Sequence, residues 1–308
     1  MLEFTPITLN DFPKLRSFYE QNPSRICDST PISTFIWRDM YNVRYAIEGS
    51  SLYMKVSVEG LGETFPLPLG GDSREQQLCA IADYCCRNRH PINFYPVPED
   101  ELPAIQAFFP NSACICDRDT FDYLYRAEDL KYFKGKKFSG QRNHVNKFLK
   151  TYESWEFRVI TTDDVPALHD FLDEYVSRVC KPAPSFHEDI AKTREVLDHY
   201  ELYSPLGGML LADGQIVGFA LGEVLGDTLY THIEKADRSI PGGYQMLVSQ
   251  YAQHYAVGPV EFINREDDTG DEGLRMSKLA YQPVALLEKY TITVEEPCTC
   301  CQKFPKQE

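Results

Sequence analysis

A chain of 308 residues is longer than a typical single hydrophobic core and comfortable for two. Its 43% hydrophobic and 25% charged content is that of an ordinary globular protein, and no apolar run reaches the roughly 18 residues that suggest a membrane span. A formal net charge of −15 repels nucleic acid and anionic membrane at long range, which disfavours both as partners while leaving room for a local basic segment to grip phosphate.

In the first half, helices are predicted near 11–20 and 32–41, then strands near 43–48, 51–58 and 64–67. A helix follows over 73–88, because Leu78, Ile81, Ala82 and Cys85 fall on one face. A strand at 92–95, a short helix at 99–108 and a strand at 120–126 close this half, and the basic stretch 128–151 reads as a helical connection. In the second half, a strand at 155–160 leads into helices at 163–178 and 187–202. Three consecutive strands follow at 207–212, 215–224 and 228–235, with Asp213-Gly214 as a two-residue type I′ hairpin signal and Gly226-Asp227 at the next turn. A glycine loop opens a helix at 244–256, and a strand at 259–264, a helix at 273–279 and a strand at 284–291 complete the chain. The expected organisation is a first domain over 1–127, a basic connection over 128–152 and a second domain over 153–308.

The two halves begin alike. Glu3–Phe18 and Glu156–Phe171 align without a gap at an offset of 153, with eight of sixteen positions identical, Glu3/Glu156, Asp11/Asp164, Pro13/Pro166 and Phe18/Phe171 among them. Thr8-x-x-Asp11 and Thr161-x-x-Asp164 resemble capping boxes, and the prolines fall in the first helical turn, where a missing N–H costs nothing. Such agreement at the starts of both halves points to a duplicated unit.

The ten cysteines read as reduced thiols, because Met1–Phe12 carries no leader pattern and the chain is long for a disulfide scaffold. A cytoplasmic location is expected on the same grounds. Cys298 and Cys301 form one C-x-x-C, but a zinc site needs four ligands and no second well-spaced pair follows, so no metal is expected.

The element order of the second half, β-α-α-β-β-β-α-β-α-β, is that of the GNAT acyltransferase fold. Tyr230–Asp237 followed by Ile240-Pro-Gly-Gly-Tyr-Gln245 resembles strand 4 and the donor loop of a GNAT domain. The segment Phe262–Lys278 with Tyr281, together with Gly135–Phe138 and Arg142–Phe148, resembles the phosphatidylglycerol lysyltransferase C-terminal-like family, a group of tandem GNAT units related to the Fem-type transferases, which take amino acids from aminoacyl-tRNA. The resemblance implies an α/β fold with a mixed α+β sheet in two GNAT copies, and an acyl or aminoacyl transferase using acyl-CoA or aminoacyl-tRNA as donor. The membrane-spanning portion of the full-length lipid lysyltransferases has no counterpart in this sequence, so stable membrane insertion and a lipid acceptor are not expected.

Acyl transfer needs a held donor, a base for the acceptor amine and a proton for the leaving group. Ile240, Gly242, Gly243, Tyr244 and Gln245 are the donor-loop candidates, since a glycine turn opening a helix offers N–H groups and a positive dipole end to an anion, although a plain tight turn reads equally well. Tyr230, His232 and Glu234 alternate onto one strand face; Glu234 is a candidate general base, and the bland alternative is a strand-end carboxylate in an ion pair. Asn264, Arg265, Glu266 and Asp267 follow the next parallel strand, where open α/β sheets place ligands, with Asn264 and Glu266 the catalytic candidates among them, and Tyr281 is a candidate proton donor. Arg142, His144 and Asn146 on the basic segment, with Arg275 and Lys278, are candidates for gripping the phosphates of tRNA or a phosphorylated acceptor; a solvated helix face is the alternative for the basic segment. The acidic run Glu266–Asp268 with Asp271 and Glu272 is expected to pair with that basic segment or to attract a cationic acceptor. The acceptor implied is a small-molecule or peptide amine. The competing reading is a tandem module that binds a ligand or partner without catalysis.

Overall fold

The computed structural model describes residues 1–179 and 186–294, so the Cys298-x-x-Cys301 pair lies outside the described residues. In chain order the elements are β1 (Thr5–Pro6), α1 (Phe12–Gln21), α2 (Pro31–Ile36), β2 (Arg44–Glu48), β3 (Ser51–Val58), β4 (Gly62–Thr64), β5 (Leu69–Gly70), α3 (Arg74–Asn88), β6 (Ile92–Pro98), α4 (Leu102–Phe108) and β7 (Ser112–Cys116). Then come β8 (Asp122–Arg126), α5 (Ala127–Tyr132), α6 (Ser139–Thr151), β9 (Trp155–Val159), α7 (Val165–Ser177), α8 (Phe186–Asp198), α9 (Tyr200–Tyr203) and β10 (Leu206–Ala212). The chain continues through β11 (Gln215–Leu225), β12 (Thr228–Ala236), α10 (Gly243–Tyr255), β13 (Phe262–Asn264), α11 (Glu272–Ala280), β14 (Ala285–Leu287) and β15 (Lys289–Val294). Two units emerge among the described residues: Met1–Phe121 with Leu287–Val294, and Asp122–Leu286.

In the first unit, β1, β2, β3 and β4 pair in that order, with β5 on β3, and a separate sheet sets β15 between β6 and β7. One parallel bridge, Phe65 with Phe94, relates the segment after β4 to β6. The core forms where α3 lays Leu78, Ile81, Ala82 and Cys85 against Phe65, Phe94, Val97 and Ile292, so the helical face expected from spacing is the buried one. Ile292 has no access to solvent, and each such side chain contributes roughly 1.5–3 kcal/mol when taken from water.

In the second unit the sheet runs β14-β8-β13-β12-β11-β10-β9. All of the pairings between β9 and β12 are antiparallel, and β12 to β13 is parallel. The β10–β11 turn has positive φ at both Asp213 and Gly214, as a type I′ hairpin requires. Helix α10 buries Met246, Leu247, Val248, Tyr251 and Ala252 against this sheet.

The half-starts fold alike. The Asp11 carboxylate accepts from the Thr8 N–H at 2.9 Å and hydroxyl at 2.7 Å, and Asp164 does the same for Thr161 at 2.8 and 2.9 Å. Each cap opens a single 3₁₀ turn that runs into a helix with proline in its first turn.

Four expectations change. The strand expected to close the first half is β8, and it pairs antiparallel with β13 in the second unit. The stretch expected as a solvated connection over 128–152 is two helices whose Leu130, Phe133, Phe138 and Phe148 are fully buried in the second unit's core; its lysines dominate the composition, but its aromatic residues decide its place. The helix expected over 187–202 breaks at His199 into α8 and α9. The final strand expected at 284–291 divides at Glu288, where β14 ends beside β8 and β15 leaves for the sheet of β6 and β7.

Candidate functional site

The site follows from how β12 and β13 part. Their parallel ladder holds Thr228 to Phe262, Leu229 to Ile263 and Tyr230 to Asn264, and ends there, although β12 continues to Ala236. The β13 chain turns away because the Asn264 Oδ1 accepts the Glu266 N–H at 2.7 Å and Glu266 takes φ +56°. Tyr123 on β8 fixes the turn by exchanging backbone hydrogen bonds with Arg265 and Glu266, both 3.1 Å. Beyond the last rung, side chains span the gap instead of backbone.

Two pairs make that crossing. The Arg265 Nη2 donates to Glu234 Oε1 at 2.7 Å, with the two side chains 10% and 14% exposed. His232 Nδ1 lies 2.8 Å from Glu266 Oε1, and its Nε2 lies 3.0 Å from Glu223 Oε1 on β11. Burial would depress the His232 pKa, but the two carboxylates outweigh it and raise it to about 9, so the imidazole is a cation at neutral pH. It is a clamp between carboxylates and not a free base. Tyr230 and His232 stack with ring centroids 6.1 Å apart, which shows the face expected from alternation.

Arg265 is the centre of the site. Its guanidinium carbon sits 4.4 Å from the Tyr281 ring centroid and 5.8 Å from that of Tyr125. Its buried Nη1 has no hydrogen-bond partner among the described residues. Leaving a guanidinium N–H unpaired away from water is costly, so the geometry leaves a donor open to an incoming oxygen. Burial raises the Tyr281 hydroxyl to about 12 with Arg265 opposing, which keeps it protonated, and Gln245 from the start of α10 lies beside it.

The structure therefore brings Glu234, Tyr281 and Gln245 together around Arg265, and brings Glu266 to His232. Asn264 is fully buried; besides the Glu266 N–H it holds Asp122 through its Nδ2 at 2.8 Å, so it shapes the turn. Tyr244 is half-buried, beside Tyr175 and the Ala236 backbone, with its hydroxyl pKa pushed up chiefly by desolvation. Ile240 accepts the Gly243 N–H at 3.1 Å in a closed turn. Gly242 takes φ +79°, and a Cβ there would lie 2.0 Å from the His144 carbonyl oxygen, so this position needs glycine for its close approach to α6.

The expected phosphate-binding residues are spread differently. The Arg142 Nη1 donates to the carbonyls of Phe133 and Gly135, at 2.5 Å for the latter, and so is engaged in holding the chain ahead of α6. His144 and Asn146 are exposed on α6. Arg275 donates to Asp268 at 2.9 and 2.6 Å, and Tyr123 to the same carboxylate at 2.5 Å. Burial would raise the Asp268 carboxyl, yet these bonds bring it down to about 2. Lys278 donates to the carbonyls of Arg265, at 2.6 Å, and Asp267, and burial lowers its pKa. The acidic run is thus used locally, Asp271 included, which caps α11 through the Leu274 N–H at 2.7 Å. Glu223 is the residue that the sequence did not single out; Arg265 stood among the four residues read after the parallel strand, and its central place among them was not legible there.

The model of the family "Phosphatidylglycerol lysyltransferase, C-terminal" matches residues 22–293. An uncharacterised protein of Mycoplasmoides gallisepticum is 25% identical over 207 residues, a stretch equal to 66% of this chain and 66% of that protein. Among solved structures, a conserved protein of unknown function from Bacteroides thetaiotaomicron is 31% identical with a TM-score of 0.88, covering 96% of this chain and 100% of that one. The structure of FemX superposes with a TM-score of 0.63 at 11% identity, covering 98% and 99%. The likeness to FemX shows a shared fold, the GNAT-like fold of mixed α and β structure that the sequence led us to expect.

Proposed function

The chain belongs to the phosphatidylglycerol lysyltransferase C-terminal family, and from that premise we propose that its second unit transfers an aminoacyl group from aminoacyl-tRNA to an amine acceptor. The observation that carries this reading is the gap between β12 and β13, with the open Arg265 N–H, the protonated Tyr281 and the Glu234 carboxylate on its walls. In the reaction the acceptor nitrogen attacks the ester carbonyl, a C–N bond forms, the C–O bond to the ribose breaks, and the amine proton departs while the ribose oxygen gains one. Arg265 is suited to donate to the carbonyl oxygen as it becomes an oxyanion, a term worth about 2.7–4 kcal/mol per donor in acyl transfer. Tyr281 is suited to supply the ribose oxygen with its proton. Glu234 is held by Arg265, and an ion-paired carboxylate is a weaker base; we assign it first to fixing the guanidinium and second to receiving the amine proton.

An aminoacyl ester suits this site better than a coenzyme A thioester. The glycine turn that would cradle a pyrophosphate is packed on the His144 carbonyl through Gly242. The exposed basic face of α6 supports contact with tRNA phosphates. The test is transfer of label from a mixed pool of charged tRNA to small amines and peptides, with Arg265→Lys as control. Label in an amide product, lost in the variant, supports the proposal. Discharge of no charged tRNA, together with a melting temperature that responds to coenzyme A, refutes the choice of donor.

A further inference from the structure

We propose that the first unit carries a binding pocket of its own for an uncharged, aromatic small molecule. The inference is independent of the transfer reaction. The pocket is half-open and lies between α1, α2, β3, β6 and the segment that follows β4.

Its position repeats the logic of the second unit. The parallel bridge between Phe65 and Phe94 rests on Phe65 N–H to Asn93 O at 2.8 Å and Tyr95 N–H to Phe65 O at 3.2 Å. Each chain then meets a proline, Pro66 on one side and Pro96 on the other. The bridge is isolated and no further rung follows it among the described residues, so the chains part. Pro66, Leu67, Tyr95 and Pro96 line the space that opens. In the second unit ion pairs cross the corresponding gap; here the gap is left empty.

The lining fixes the ligand's chemistry. Trp37, Tyr41 and Tyr95 present rings, and Leu52, Met54 and Val56 supply an apolar floor from β3. Ser29, Ser33 and Thr34 gather hydroxyls on one side, where Tyr19 donates to the Thr34 Oγ1 at 2.8 Å. Asp28 is the sole charged residue of the lining, and the buried Lys289 pairs with its Oδ2 at 2.5 Å, so the wall carries no net charge. Phosphate is disfavoured as well. Ahead of α3, Asp72 accepts from the Ser50 N–H and hydroxyl, both 3.1 Å, and Ser73 and Gln76 close the capping box, so the helix start is satisfied by the chain itself. What remains is a ring-bearing body with a hydroxyl or carbonyl head.

The chain has two tryptophans, and Trp155→Phe leaves Trp37 as the only one. With the full chain carrying that change, titration with benzyl alcohol is expected to alter Trp37 emission saturably, with saturation transfer from protein to ligand in NMR. Cyclohexylmethanol is expected to bind more weakly, and inorganic phosphate and coenzyme A to leave Trp37 unchanged. Val56→Phe fills the floor and is expected to weaken benzyl alcohol by at least about tenfold while the melting temperature holds. If that variant fails to fold, Val58→Phe serves the same purpose. No saturable response to benzyl alcohol, equal binding by the filled variant, or a Trp37 response to the anions would each overturn the proposal.

Discussion

The Glu234–Arg265 pair yields the sharpest test of the second unit. Glu234→Gln keeps the side chain's size but removes the charge, leaving a guanidinium that is 10% exposed with its Nη1 already unpartnered among the described residues and no counter-ion at 2.7 Å. Breaking one side of a buried pair costs about 3–5 kcal/mol, because the remaining charge stays desolvated. The double change Glu234→Leu with Arg265→Met removes both charges and conserves volume, and such replacements run from neutral to stabilising. The expected order of stability is therefore parent close to double variant, with Glu234→Gln well below both. Urea unfolding followed by Trp155 emission reports on the second unit once Trp37→Phe has removed the other tryptophan. The variants are expected to share one m-value and differ in midpoint. A Glu234→Gln midpoint equal to the parent's would mean that water already solvates the pair, and the reasoning that makes Arg265 a preorganised oxyanion donor would fail with it.

Three further outcomes follow from the same coordinates. His232 is raised from 6.5 to about 9 in the fold, so its contribution is whole below about pH 6.5 and lost as pH climbs through 9; the stability gap between the parent and His232→Gln is expected to shrink by about 3 kcal/mol over that window, and a flat gap would refute the clamp. Gly242→Ala places a methyl 2.0 Å from the His144 oxygen at φ +79°, so a loss of about 2 kcal/mol or more is expected in the urea midpoint, whereas Gly214→Ala, with nothing within 4 Å, should lose only the conformational part. Thr8→Ala and Thr161→Ala each remove a hydroxyl held by the capping aspartate and should each cost about 1 kcal/mol, read in the unit that carries the change; a cost at only one would count against equivalent starts.

What was legible in the sequence was local. The caps at Thr8 and Thr161, the apolar face of α3 and the Asp213-Gly214 turn rest on interactions within a few residues, and each stands as read. What was hidden was which distant segment a piece joins. Nothing in Asp122–Arg126 distinguishes a closing strand of one unit from a partner of β13 in the next, because its alternation suits either. The lysines of 128–151 drew the eye from Phe133, Phe138 and Phe148, which carry the burial. The charged run after β13 was visible as a site, but its pairing was not: Glu266 goes to a histidine on β12 and Asp268 to an arginine seven residues on, choices made by the turn at Glu266.

The two gaps offer a physical contrast between the two units. A parallel pair that parts leaves two edges whose polar groups need partners, and the chain has met that need in two ways. In the second unit, Glu234–Arg265 and His232–Glu266 cross the opening, which keeps charge inside a packed site and leaves one guanidinium N–H for an incoming oxygen. In the first, the opening is bordered by Pro66, Leu67, Tyr95 and Pro96, and no charged pair of the lining crosses it. A site built the first way can stabilise a developing anion, since its donors are fixed before the charge appears. A site built the second way can only hold a body by shape and ring contacts. Introducing a carboxylate–guanidinium pair at positions 67 and 95 would therefore bury two charges among Trp37, Met54 and Leu52 without the supporting turn that Asn264 provides, and should unfold the first unit, not confer transfer on it.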